Sequence, residues 1–161
     1  MNIFATSKSA IQSAEYLDDK RVVKMVLETA QLLATSINLC GGKATYKSTH
    51  INHPCSIWAR TSKSNYIWLM MHFNALLAEY SKRFSKTHKC AQYFDEFMEG
   101  SKLIPEGSLT EHPNCTIFKD EKDVYKAYRM YMEHKWKNDK ITPRWFKNTV
   151  RSEGEQQTTT V

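Results

Sequence analysis

Glycine and proline are scarce in this chain, five and four among 161 residues, which leaves little material for long irregular regions. No stretch alternates apolar and polar residues with period two for long enough to require a sheet, although a short strand at "NIF" fits the amino end. No internal repeat is present. The four cysteines, Cys40, Cys55, Cys90 and Cys115, stand far apart with no C-x-x-C pair, so a zinc ribbon or a dithiol redox motif is not indicated and they read as buried fillers. No signal peptide and no apolar run of membrane length appears, which points to a reducing cytoplasmic setting and away from a membrane.

What is present is helical patterning and positive charge. "SKSAIQSAEYLDDKRVVKMVLETAQLLATSINLCGG" reads as helix with a break near Leu17–Asp18, capped by Ser7 or Ser9 and ended by Gly41–Gly42. Val22, Val26, Thr29, Ala30 and Leu33 share one face, which must meet a core. After a basic loop, Pro54 suits the first turn of a long helix to about Lys86, with Trp58, Leu69, Phe73, Leu76, Leu77, Tyr80 and Phe84 as its apolar stripe. "CAQYFDEFMEG" predicts a shorter helix, the segment from Ser101 to Asp120 a surface loop, and "EKDVYKAYRMYMEHKW" a last helix. "ITPRWF" reads as an ordered end segment anchored by aromatics. The expectation is an all-α fold, one compact domain over 1–151 of about four or five helices, with a basic loop between the two longest and a polar disordered tail over 152–161. A net charge of +6 fits a polyanion partner, because basic surface releases counterions from a phosphate backbone.

Four groups of residues carry the candidate chemistry. Lys20, Lys24 and Glu28 recur at i, i+4 and i+8, with Leu27 among them. Such spacing ordinarily means a solvated ion-pair face. In a cleft it sets an amine, which can attack a carbonyl or an anomeric carbon, beside a carboxylate that handles the proton. His50, Asn52 and His53 precede Pro54, where free backbone N–H groups favour an anion; two histidines without a third ligand do not make a metal site, and no metal or cofactor is expected. Asn65, His72, Glu79 and Arg83 stack along the long helix beside Trp68. Asn and His are not leading helix formers, so this stripe indicates either a buried hydrogen-bond network or a pocket wall. Near the carboxyl end, Tyr125, Tyr128, Arg129, Tyr131, Trp136, Arg144, Trp145, Phe146 and Lys147 mix aromatics with cations, suited to stacking on bases or to a core with a basic rim.

"DKRVVKMVLETAQLL", "YKSTHINHPCSIWARTSKSNYIWL", "EYSKRFSKTHK" and "AYRMYM…TPRWF" together resemble a family of small tailed-bacteriophage proteins, over about residues 1 to 146. The order of a helix with acidic and basic groups, a basic loop with His-Pro, a Trp, and a long helix ending in "EYSKRF" and His88 is similar to the all-α pyrimidine-dimer DNA glycosylase family, of the endonuclease V type. That resemblance implies excision of a damaged pyrimidine by an amine at the anomeric carbon, through a Schiff base, with a glutamate assisting. The family's nucleophile is an amino-terminal α-amine exposed by loss of Met. This chain begins Met1–Asn2, and a residue as large as Asn ordinarily leaves the initiator in place, so the amine would be that of Met1. The glutamate has several candidates here: Asp18, Asp19 and Glu28.

The leading expectation is therefore a phage DNA enzyme of the host cytoplasm, a glycosylase or base-modifying activity on an extruded pyrimidine. Lys20, Lys24 or the amino terminus would be the amine, Glu28 or Asp19 the acid or base, with His53 beside them. His50, Asn52, Trp58, Arg60, Asn65, Tyr66, Trp68 and His72 would bind the substrate, His50 and Asn52 at a phosphate or the base edge, and Lys47, Arg144 and Lys147 the backbone. Two other readings stay open: a non-catalytic phage protein that captures a nucleotide signal, nucleic acid or host factor, and a helical protein whose polar groups form one buried network and whose function lies in an interface with a protein partner.

Overall fold

The computed structural model describes residues 1–146. Six α-helices carry the fold: α1 (Ala10–Tyr16), α2 (Asp19–Leu39), α3 (Pro54–Thr61), α4 (Lys63–Phe84), α5 (Phe94–Gly100) and α6 (Val124–Asn138). Short 3-10 turns at Lys89–Tyr93 and Ser101–Leu103 flank α5, and no strand occurs among the described residues. The all-α class expected from the sequence is what the chain adopts. One boundary differs: the helix starting at Pro54 does not run through to Lys86. Ser62 closes α3 in an extended conformation and opens α4, its hydroxyl accepting from Asn65 N and donating to Ser108 O at 2.8 Å. A serine that caps at this point lets the chain turn, which periodicity alone does not register. The disordered tail expected over 152–161, and Lys147, lie outside the described residues.

Helix α4 packs on both α1 and α2, and α3 fills the angle between α2 and α4. Val22, Val26, Thr29, Ala30 and Leu33 of α2 and Leu69, Phe73 and Leu76 of α4 are buried together. Each large apolar side chain buried there contributes roughly 1.5–3 kcal/mol.

The polar stripe of α4 is buried as well, and it fastens the helix to its neighbours. Asn65 donates to Trp58 O and Thr110 Oγ1, both at 2.9 Å, and accepts from Thr110 N. His72 Nδ1 lies 2.9 Å from Ala10 O; a carbonyl only accepts, so Nδ1 carries the proton and Nε2 is left bare. Arg83 is 0 % exposed and spends its guanidinium on four partners: Glu79 Oε1 at 2.9 Å, Leu17 O at 2.7 Å, Asp19 Oδ1 at 3.1 Å and Glu15 O at 3.2 Å. The expected break at Leu17–Asp18 is thus the corner that α4 grips. Asp19 also accepts from Phe146 N, and Trp145 Nε1 donates to Tyr16 O, so the carboxyl-terminal segment closes on the same corner, anchored by its aromatics as expected.

The first residues thread through this core without pairing as a strand. Ile3, Phe4, Ala5 and Thr6 are buried, and side chains supply the missing partners. Arg129 Nη1 donates to Thr6 O at 2.8 Å, Trp68 Nε1 to Lys8 O at 2.9 Å, and Asn2 Oδ1 accepts from Ile3 N at 2.7 Å.

Two expectations follow. Arg83→Met leaves Asp19, Glu79 and two carbonyls without their cation and should cost about 3–5 kcal/mol in denaturant unfolding; a loss under 1 kcal/mol would show the knot to be incidental. His72 and His112 are held by burial at about 4 and about 3, against 6.5 ordinarily. The unfolded chain therefore takes up protons first, so their contribution is complete above pH 6.5 and is lost as pH falls toward 4. Urea midpoints should drop between pH 7 and 5, and His72→Leu should flatten that slope.

Candidate active site

The amino terminus ends in a cavity rather than in solvent. Asn2 folds its side chain back so that Oδ1 takes both Ile3 N and Phe4 N, which holds Phe4 in the left-handed region at φ 58°. A bulky residue adopts that conformation at a cost of roughly 1–2 kcal/mol, and the burial of Phe4 between Tyr128 and Tyr131 offsets it. The turn brings the Met1 α-amine to 3.7 Å from Glu28 Oε1.

Helix α2 lies beneath. Its i, i+4, i+8 spacing sets Lys20, Lys24 and Glu28 along one side of a cavity of ≈ 380 Å³. The Lys24 ammonium lies 3.8 Å from Glu28 Oε2 with its side chain 69 % exposed, whereas Glu28 is 17 % exposed. Glu28 is the one carboxylate lining the cavity among the described residues, and it faces Met1, Lys20, Arg21, Lys24 and Lys135. Arg21 is committed to Asp18 and Asp139, and Glu28 is shared between the Met1 amine and Lys24, so Lys20 and Lys135 add a surplus of positive charge to the lining. Leu27, on the same helix, stays exposed; the cover falls on the Glu28 side.

Three further elements complete the walls. His53 ends the basic loop as the cap of α3, its Nδ1 accepting from Cys55 N at 3.0 Å. Burial and the nearby α-ammonium hold His53 below its ordinary value, with Glu28 opposing. Cys115 comes from the irregular segment before α6. From α6, Tyr131 and Lys135 stand one turn apart, the Lys135 ammonium 4.7 Å from the Tyr131 ring centre and 5.9 Å from that of Phe4.

The structure thus gathers Lys20, Lys24, Glu28 and His53 from the sequence candidates, with Met1 beside them. The other candidates sit elsewhere. Trp58, Asn65, Tyr66, Trp68 and His72 are buried, and apart from His72 Nε2 their side-chain polar atoms are bonded within the protein: Trp58 Nε1 to Thr110 O, Tyr66 Oη to Phe97 O, Trp68 Nε1 to Lys8 O. Asp19 is held by Arg83 and Phe146 N at the helix corner, so it is not free to act as acid or base in this cavity. Lys47, His50 and Asn52 are exposed on the basic loop, Arg60 bonds Ser56 Oγ, and Arg144 is exposed with its carbonyl taken by Asp19 N. None of these lines the cavity. Phe4 and Cys115 carry no sequence signal for the site; for Lys135 the signal available is its i, i+4 spacing from Tyr131 on one helix face.

His53, Cys55 and Cys115 also bring ligand-type atoms within 4.8 Å of one another. They fit a cation poorly. The cap bond from Cys55 N occupies Nδ1 and puts the ring proton of neutral His53 on Nε2, and Cys55 directs its thiol at Cys115 Sγ. A metal there would displace the helix cap and two thiol protons.

An amine beside a half-buried carboxylate, in a cation-lined cavity on an all-α scaffold, is equipment for amine chemistry on an anionic substrate. Residues 1–98, more than half of the chain, match the family model of pyrimidine dimer DNA glycosylase, and the chain belongs to that family. Its activity is of the DNA glycosylase type, with DNA as the substrate class. No curated protein and no solved structure matches the chain. No helix among the described residues is long and apolar enough to cross a membrane.

The Asn2 turn gives the site its own test. Asn2→Ala removes the side-chain oxygen that accepts from two backbone N–H groups and should cost about 1–2 kcal/mol, while the Met1 amine becomes more reactive toward small acylating reagents as the chain start loosens. Unchanged stability and unchanged amine labelling, read by mass spectrometry, would show that another contact holds the amino end.

Proposed function

We propose that this chain is a DNA glycosylase with an associated lyase step, acting on a damaged or modified pyrimidine through the Met1 α-amine, with Glu28 as its acid–base partner. The observation that carries the reading is the 3.7 Å approach of that amine to Glu28 inside a cation-lined cavity. Lys24 also reaches Glu28, but its side chain is largely solvated, and α-amines as a class are less basic than lysines by roughly 2–3 units, so more of an α-amine is neutral and nucleophilic near pH 7.

In this reading the target nucleotide leaves the base stack and enters the cavity, since the anomeric carbon of a stacked base is out of reach. The amine nitrogen bonds to C1′ as the glycosidic C1′–N bond breaks, and the base departs, taking a proton from solvent. Glu28 accepts the extra proton of the new C1′–N group. The sugar ring then opens: C1′=N forms, the C1′–O4′ bond breaks, and O4′ takes the proton from Glu28. The resulting iminium is the lyase intermediate, stabilised by the Glu28 carboxylate at close range. Lys20 and Lys135 would hold the flanking phosphates, Tyr131 and Phe4 would offer ring faces to the base or sugar, and neutral His53 would donate from Nε2. The phage setting implied by the first resemblance belongs to this proposal.

Borohydride trapping on duplexes carrying ultraviolet photoproducts or an abasic site tests it. The expected adduct maps to the peptide that begins at Met1. Glu28→Gln should lower trapping about 10²-fold or more while salt-sensitive DNA binding persists. Lys20→Ala and Lys135→Ala should each reduce the slope of log K against log salt by about 0.9. An adduct on Lys24 would move the nucleophile, and no adduct on any of these duplexes would remove the mechanism.

A further inference from the structure

We propose that Cys55 and Cys115 are a peroxide-sensitive dithiol that closes to a disulfide and disengages the amine-bearing cavity. Their sulfurs lie 4.0 Å apart, and Cys55 directs its thiol at Cys115. The two differ in access. Cys55 is 1 % exposed in the first turn of α3, while Cys115 lines the cavity from the irregular segment before α6. An oxidant small enough to enter the cavity meets Cys115 first. The Cys55 contact also holds the Cys115 thiol below its ordinary value, and the Lys119 and amino-terminal charges act in the same direction, which favours the reactive thiolate.

The reaction balances with hydrogen peroxide as oxidant. The Cys115 thiolate attacks one peroxide oxygen; the S–O bond forms, the O–O bond breaks, and the leaving hydroxide takes a proton to become water. Cys55, giving its proton to the departing hydroxyl, then attacks Cys115 Sγ, so that S–S forms and a second water leaves. Two thiols and one peroxide become a disulfide and two waters, and an external dithiol reverses the change.

The consequence for the site follows from Asn2, which touches the thiol of one cysteine and the main-chain carbonyl of the other. Cys55 Sγ approaches Asn2 Oδ1 at 3.8 Å, and Asn2 Nδ2 donates to Cys115 O at 3.3 Å. Disulfide sulfurs sit about 2.05 Å apart, so the pair must close by about 2 Å. Cys55 is fixed in a buried helix turn, and the movement falls on Cys115, whose carbonyl leaves Asn2 as it goes. Closure also consumes the Cys55 thiol proton. Asn2 loses both contacts, the turn that sets Met1 loosens, and the amine parts from Glu28. The effect on DNA chemistry rests on the amine–glutamate reading above; disulfide formation and the change at the amine do not.

The test uses the whole reduced protein treated with stoichiometric hydrogen peroxide. Expected are loss of two of four thiols, a Cys55–Cys115 cross-linked peptide in a non-reducing digest, faster acylation of the Met1 amine by a small reagent, and at least a tenfold loss of borohydride trapping, all restored by dithiothreitol. Cys55→Ala, checked for native circular dichroism, should form no disulfide and show no peroxide-dependent change in amine acylation. Oxidation confined to Cys40 or Cys90, or over-oxidation of Cys115 without a disulfide, would overturn the dithiol. A disulfide that leaves amine labelling unchanged would overturn the switch. Changed labelling in a protein that never traps DNA would uphold the switch and remove the glycosylase mechanism instead.

Discussion

A buried guanidinium organises this fold. Arg83 gives up its hydration for two carboxylates and two main-chain carbonyls, and an ion in that position is tolerated only when its donors are met with good geometry. Its partners belong to three pieces of chain: the end of α1, the first residue of α2 and α4 itself. The α1–α2 corner can therefore take one arrangement against α4. Helix α2 rises from that corner, and Glu28, nine residues on, is placed about 13 Å along it. The position of the acid in the cavity is set at the far end of the helix by an arginine that touches nothing in the site.

The other requirement is that the amino end be brought inside. An extended segment with no strand partner has unmet backbone groups, and burying them is costly. Here Asn2, Trp68 and Arg129 meet part of that demand from three directions. The same economy accounts for the aromatic and amide residues along α3 and α4. Trp58, Asn65 and Trp68 brace the segment around Thr110 and the chain start at Lys8, so side chains that resemble a binding surface are brackets for irregular backbone.

This division decides what could be read from the sequence. The all-α class, the break at Leu17–Asp18, the core face of α2 and the Lys20, Lys24, Glu28 row followed from helical periodicity, which records which residues share a face. The stripe Asn65, His72, Glu79, Arg83 was legible as unsuited to a solvated surface, and the buried-network alternative is the one the structure adopts. Periodicity does not record which faces meet. It could not tell that the Asn65 stripe looks inward while the Glu28 row looks into a cavity, nor that Tyr131 and Lys135 come across to form the opposite wall. The Ser62 corner was hidden because a serine that ends one helix and starts the next differs little, in one sequence, from a serine within a helix.

The cavity is also composite along the chain. Met1, Asn2, Lys20, Lys24, Glu28 and His53 lie within the stretch that matches the family, whereas Cys115, Tyr131 and Lys135 come from beyond residue 98. The Met1–Glu28 side of the cavity and its facing wall thus come from separate stretches of the chain. Substitutions along α6 can reshape the space and charge offered to an incoming ligand while the amine, its carboxylate and the Arg83 corner stay as they are. A fold divided this way can drift in what its cavity admits while the amine–carboxylate pair keeps its place.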